Sequence, residues 1–289
     1  MDAIKTSDAL AVGFPRASLY GTRYHRPFHG VRTDRIPSSH VDLCRAAVLA
    51  LPHAAAFSHR SAAILHGIPL PLGGLPDDVE VSVLEPSRSP RRAGIRAHQL
   101  TPNGQRIVHV DGMRVYAPED TWIQLGTLLP IEDLVVAGDF LITGDEPFTG
   151  NRAPATRSDL ENALRRFGRH RGVRSLRLAL DRVRYGSLSP QETRLRLALV
   201  TAGLPEPDLN FRVLDGRGRI GAMVDLAYPA SNVAIEYLGD HHRATPAAYR
   251  KDIERREWLA DRGWNVVFVT GGDDFTEVAR RVRKALRRA

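Results

Sequence analysis

Apolar positions in the first half of the chain switch repeatedly between helical and alternating spacing. TSDALAVG (6–13) is helix-like, and HRPFHGVRT (25–33) is strand-like and crowded with basic and aromatic residues. SHVDLCRAAVLAL (39–51) predicts a helix with Ser39 as its N-cap, and SHRSAAILHG (58–67) a second one that stops at Gly67. The run PLPLGGLP (69–76) ends regular structure; DVEVSVLE, GIRAHQL and MRVYAP then alternate with period two and read as strands. EDTWIQLGTLL and IEDLVVAGDFLIT return to helical spacing. The sum is an α+β domain over residues 1–149, whose first 36 residues form a reduced winged-helix-like segment.

GDEPFTGNRAPATR (144–157) gathers Gly, Pro, Asn and Thr, which places the domain boundary there and a second domain at 150–289. Ser158 and Glu161 stand in capping-box spacing and predict the next helix start. LSPQETRLRLALVTAG reads as a helix stopping at Gly203. FRVLDGRGRIGAMVDLAYP and NVAIEYLG read as strands broken at the DGRG turn. A helix ending at Gly263, the apolar strand WNVVFVT and a basic closing helix complete the chain. Helix, three strands, helix, strand and helix imply a mixed sheet flanked by helices, an α/β or α+β layer fold.

Composition adds a partner class and removes several mechanisms. With Lys+Arg 41 against Asp+Glu 33, the formal charge is +8, and lysine occurs only at Lys5, Lys251 and Lys284. Such a balance favours a polyanion, because neutralised phosphates release counterions; an arginine-rich coding bias produces the same composition. Residues 151–184 hold ten arginines against three acids, which makes Arg165, Arg166, Arg169, Arg171 and Arg174 the candidate phosphate-tracking surface. The single cysteine, Cys44, lies at helical spacing among apolar neighbours, as an inert core thiol would, so intrachain disulfides and cysteine-based zinc sites are excluded. No stretch is apolar enough to span a membrane and the first residues lack a secretory pattern, so a cytoplasmic protein is expected.

VDLAYPASNVAIEYLGDHHR (224–243) raises the sharpest chemical question. If the hairpin turns through Pro229–Asn232, Tyr228 faces Val233 and Asp225 comes opposite Glu236, on one face of the sheet. Two carboxylates among Val224, Leu226, Ala234 and Ile235 repel each other and lose hydration unless arginines or a divalent cation compensate them. Mg²⁺ is the natural cation, since it takes one or two carboxylates with waters and phosphate oxygens. Glu192 is either a helix-cap residue or a third oxygen ligand; His241 and His242 are loop histidines able to move protons near neutral pH. Asp252 and Arg255, three apart on one helix, have the spacing of a surface ion pair. Ser58, His59 and Ser61 suggest a hydrolase site at first sight, but helix capping accounts for the serines.

SPQETRLRLALVTAGLPEPDLN, MVDLAYPASNVAIEYLGDHHR and RKDIERREWLADRGWNVVFVT, taken in succession over about residues 187–275, resemble the endonuclease-related domain-of-unknown-function 559 family. That family is similar to the very-short-patch-repair (Vsr) nucleases and belongs with the PD-(D/E)xK phosphodiesterases. The resemblance implies a restriction-endonuclease-like core in which Glu192 is the helix acid, Asp225 the central metal-binding acid and Glu236 the second strand acid. It also implies a histidine near the metal at His242, or alternatively His241, and a D-x-x-R signature at Asp252 and Arg255. Leu238 stands where the wider pattern has lysine. In the front half, FHGVRT, FSHRSAAILHGIPLP, DDVEVSVL and APEDTWIQLGTLL resemble AbiEi-type abortive-infection antitoxins over residues 3–143. The expectation is a DNA-binding protein with a nuclease-like domain, possible as a Mg²⁺-dependent endodeoxyribonuclease; the alternative is a non-catalytic antitoxin or autoregulator with a cognate toxin protein as partner.

Overall fold

The computed structural model describes residues 1–71, 73, 76–238 and 246–288, without the side chains of 246–249, 251 and 252. It is a mixed α/β structure of two compact units, one of Met1–Leu141 with Pro154–Arg182 and the other of Ile142–Ala153 with Val183–Ala289. No described helix is long and apolar enough to cross a membrane.

The first unit begins with β1 (Ala3–Lys5), α1 (Thr6–Ala11), α2 (Arg16–Tyr20) and β2 (Val31–Thr33), and β1 and β2 pair antiparallel. It continues through α3 (His40–Val48), β3 (Ala56–Phe57), α4 (His59–Leu65), β4 (Val79–Leu84), β5 (Ile95–Leu100), β6 (Ile107–Val110) and β7 (Met113–Tyr116). The five strands from β3 to β7 form a sheet in the order β5-β4-β3-β7-β6, with β4/β5 and β3/β7 parallel. Ser39 caps α3 by accepting the Asp42 N–H, as its position before the apolar spacing predicts. β3 escapes a sequence reading because two residues are too few to establish an alternation, and β6 is a further strand that sequence reading did not single out.

Next come α5 (Pro118–Leu125), α6 (Ile131–Thr143), α7 (Glu146–Thr149), α8 (Arg157–Phe167) and α9 (Val173–Leu180). The arginine-rich α8 and α9 lie in the first unit, whereas the composition shift at 144–157 had placed them in the second. Their apolar stripes are the reason. Leu160, Ala163, Leu164, Leu176 and Ala179 are buried, and Gly172, with φ +90°, comes so close to the Gly126 carbonyl that an added Cβ would sit 2.7 Å from its oxygen. The capping box of α8 is Thr156 with Asp159, two residues before the expected Ser158 and Glu161.

The second unit carries α10 (Pro190–Thr201), β8 (Asp208–Leu214), β9 (Ile220–Tyr228), β10 (Val233–Leu238), α11 (Pro246–Ala260), β11 (Asn265–Thr270) and α12 (Phe275–Leu286). Its sheet order is β11-β10-β9-β8; β8, β9 and β10 run antiparallel in succession, and β10 pairs parallel with β11. Leu195, Leu199, Leu226, Val233, Ile235, Val269, Val278 and Val282 form the core on one side of this sheet. On the other side Trp258 of α11 lies so close to β9 that a Cβ at Gly221 would stand 2.0 Å from its ring. Only a residue without a side chain admits the indole there.

Candidate functional site

The turn of the β9–β10 hairpin and its first three pairs form as the sequence predicts, but Asp225 and Glu236, expected opposite each other, are not among the paired positions. Tyr228 faces Val233, Ala227 faces Ala234 and Leu226 faces Ile235, with Pro229–Ser231 forming one 3₁₀ turn and Asn232 at φ 46° closing it. Regular pairing ends at Leu226 and Ile235, next to the two acids. There the Tyr237 backbone N–H donates to Asp225 Oδ2 at 2.7 Å, so the carboxylate takes up a strand donor and is fixed against β10.

Glu192 reaches the same region from α10. Ser189 caps that helix by accepting the Glu192 N–H, and Pro190 starts its first turn. Leu188 N–H and Asn210 Nδ2 each donate to Glu192 Oε2 at 2.9 Å. Asn210 holds a positive φ of 46° within β8. Sequence reading missed this residue; its one signal is an asparagine inside the strand DLNFRVL.

The two carboxylates are electrostatically strained. Burial raises the Glu192 carboxyl above the usual carboxylate range, and the Asp225 charge raises it further against the opposing hydrogen bonds. Asp225 is also raised, by burial first, while the Tyr237 N–H and the Arg255 charge work the other way. Glu236 has a different environment: it is 3% exposed and forms an ion pair with Arg255 of α11, whose Nη1 also donates to the Met223 carbonyl at 2.9 Å. The spacing of Asp252 and Arg255 predicts a surface ion pair; the Asp252 side chain lies outside the described residues, and among those described Arg255 pairs with the strand acid Glu236. His241 and His242, together with the side chain of Asp252, lie outside the described residues.

A magnesium ion satisfied by two carboxylates, water and phosphate oxygens fits the donor chemistry of Glu192 and Asp225. Three closed carboxylate ligands do not fit: among the described residues no group of three or more His, Cys, Asp or Glu gathers as a metal site. Glu236, expected to share the metal with Asp225 as the second strand acid, pairs with a guanidinium.

In the first unit the candidate phosphate-tracking arginines separate into two groups. Arg165, Arg169, Arg171 and Arg174 are exposed, with Arg165 donating to the Asn162 side chain. Arg166 is turned inward to Asp120 at 2.7 Å and is less available to a ligand.

The serines of SHRS have a role that their spacing did not reveal. Ser58 makes no cap hydrogen bond to α4; its Oγ meets His59 Nδ1 at 3.0 Å and accepts from Ser82 at 2.8 Å. Ser61 Oγ accepts the Glu80 N–H at 2.7 Å and meets His40 Nε2 at 2.8 Å. Glu80 holds Arg60 through its backbone N–H and its guanidinium, at 2.8 and 3.0 Å. His59 stacks on His98 with ring centroids 4.0 Å apart, and burial pushes its pKa down to about 3. Both Ser58 and Ser61 are fully buried, so this cluster is a polar core and not a nucleophile open to substrate. Cys44 is likewise buried, its thiol pushed up to about 12, as expected of an inert core residue.

No family model matches the chain. It is similar to Uncharacterized protein MT2308 and Uncharacterized protein Rv2248, from the CDC 1551 / Oshkosh and H37Rv strains of Mycobacterium tuberculosis. Each is 29% identical over 215 residues, covering 73% of this chain and 75% of the relative. Among solved structures, the RV2827C protein from Mycobacterium tuberculosis aligns with a TM-score of 0.43 and 14% identity, over 74% of this chain and 84% of that one.

Proposed function

We propose that this is a cytoplasmic DNA-binding protein whose second unit is a nuclease-like domain, hydrolysing phosphodiester bonds with Mg²⁺. The observation that carries the reading is the meeting of Glu192, buried on α10, with Asp225, half-buried on β9, where desolvation raises the pKa of each and the charge of Asp225 acts on Glu192. Such a pair costs stability in an empty scaffold and marks a functional site. The order of α10, three antiparallel strands, α11, β11 and α12 agrees with the restriction-endonuclease-like core that the 559-family resemblance implies.

In this reading Glu192 and Asp225 hold the ion. When bound, it supplies Lewis acidity toward phosphate and water. Leu188 N–H and Asn210 orient Glu192, and Tyr237 N–H fixes Asp225. Arg255 neutralises Glu236 beside them. With Leu238 at the lysine position, proton transfer falls to His241 or His242, and the exposed arginines of α8 and α9 contribute phosphate affinity.

A second reading, a non-catalytic antitoxin with a toxin protein as partner, is favoured by the Arg255–Glu236 pair together with Leu238, since an internal cation makes a bound metal less necessary. Incubation of supercoiled, mismatched and single-stranded DNA with Mg²⁺ separates the two. Nicking by the wild type that EDTA abolishes, and that Asp225→Asn lowers on the order of 10³-fold, is the expected result. DNA binding without cleavage of any of the three substrates would favour the antitoxin.

A further inference from the structure

The first unit contains a cavity of about 250 Å³ that the reading of the second unit does not use. It is lined by amide side chains, among them Gln99, Asn103 and Gln124, by Asp120, whose charge is paired with Arg166, and by Phe167 and His170 at the end of α8 and in the loop after it. Clefts for drug-sized ligands run from roughly 300 to 1,000 Å³, so this one suits something near a single heterocycle.

Gln124 gives the cavity its chemical direction. Its Oε1 is held by the His59 backbone N–H at 2.7 Å, which ties the side chain to the polar core around Ser58 and Glu80. The opposite end of the amide, Nε2, is a buried donor without a hydrogen-bond partner among the described residues. A buried unsatisfied donor costs on the order of 1–3 kcal/mol; Nε2 is closed to solvent, so a ligand acceptor removes that cost once the amide of Gln124 turns it into the cavity it lines. Phe167 and His170, with ring centroids 5.1 Å apart at 40°, supply aromatic surface. Arg165, Arg169 and Arg171, exposed on the same helix end and loop, supply positive charge to an attached phosphate.

We propose that this cavity binds a nucleobase: a planar heterocycle that stacks on Phe167, offers a ring-nitrogen or carbonyl acceptor to Gln124 and carries its phosphate toward the arginines. Amide side chains read base edges because they present a donor and an acceptor side by side, with adenine the usual match, and aromatic stacking tolerates any base. The base arrives either on a free nucleotide or extruded from a DNA strand.

Two probes distinguish these sources in the full-length protein. AMP, GMP, CMP and TMP are titrated by calorimetry, and a short single-stranded DNA carrying one 2-aminopurine is titrated by fluorescence. Each is repeated with Phe167→Ala and with Gln124→Glu, which keeps an oxygen for the His59 N–H and removes the donor. Binding of a mononucleotide that weakens about tenfold or more in both variants assigns a free nucleotide; a 2-aminopurine response with the same sensitivity, without mononucleotide binding, assigns a base in DNA. Absence of binding by either probe, or affinity unchanged in Phe167→Ala while its thermal midpoint matches the wild type, overturns the proposal. Should Gln124→Glu fail to fold, Phe167→Ala alone decides, since Phe167 is only partly buried.

Discussion

The two units bury polar groups in opposite ways. In the first, Glu80 has Arg60 as counter-ion and a seryl oxygen on its backbone N–H, and His59 is kept neutral by burial. In the second, Glu192 and Asp225 share a region in which Arg255, whose charge acts on Asp225, is paired with Glu236. A satisfied polar core is a folding device, whereas a frustrated pair of carboxylates is retained because something else binds it. Similar-looking motifs, SHRS with its two serines and a histidine and the hairpin with its two acids, therefore receive different assignments once partners are counted.

Replacing one acid in each unit, the buried Glu80 and the half-buried Asp225, sharpens that contrast. Glu80→Gln leaves Arg60 without its counter-ion and should lower stability by about 2–4 kcal/mol in chemical denaturation. Asp225→Asn removes a charge that raises Glu192, keeps an oxygen for the Tyr237 N–H and should raise stability on the order of 1 kcal/mol while cleavage is lost. Equal destabilisation by both changes would erase the distinction.

Acidity gives an effect of intermediate size, with opposite signs in the two units. A His59 pKa of about 3 in the folded state lies below the ordinary value of 6.5, so its contribution is complete above pH 6.5 and is lost as pH falls toward 3. Burial also lowers His40, His66 and His98 in the same unit, and Asp120, raised by burial, opposes them in part. Glu192 and Asp225 are raised, so their contribution is present below the ordinary carboxylate range and is lost as pH rises through their folded values. Hydrogen exchange corrected for intrinsic rates should show protection of β3 and β4 falling, and that of β9 and β10 rising, as pH is lowered from 6.5 toward 4.5. The slope in the first unit should amount to about 1–3 kcal/mol over that window.

Much of the second unit was legible because its signals are local. The turn PASN between two apolar strands fixes the register, Ser189 and Pro190 start α10, and Gly203 and Gly263, at φ 80° and 76°, stop their helices. Partners across elements were not legible. The Arg255–Glu236 pair joins residues 19 apart on α11 and β10, which spacing along α11 does not reveal. For residues 151–184 the sequence showed a capping box and clustered arginines but not the surface that the apolar side of α8 and α9 covers, so the composition shift near residue 150 misplaced both helices. Ser58 looked like a cap because it precedes a helix; the hydrogen bond it accepts from Ser82 depends on β4 arriving from elsewhere in the chain.

Magnesium binding to the second unit tests the central claim most directly. Calorimetric titration of Mg²⁺ into the DNA-free wild type, Glu192→Gln and Asp225→Asn, with thermal midpoints recorded alongside, should show saturable binding and a raised midpoint in the wild type alone. Identical responses in all three proteins, or no response in the wild type, would contradict a cation site built from these two carboxylates.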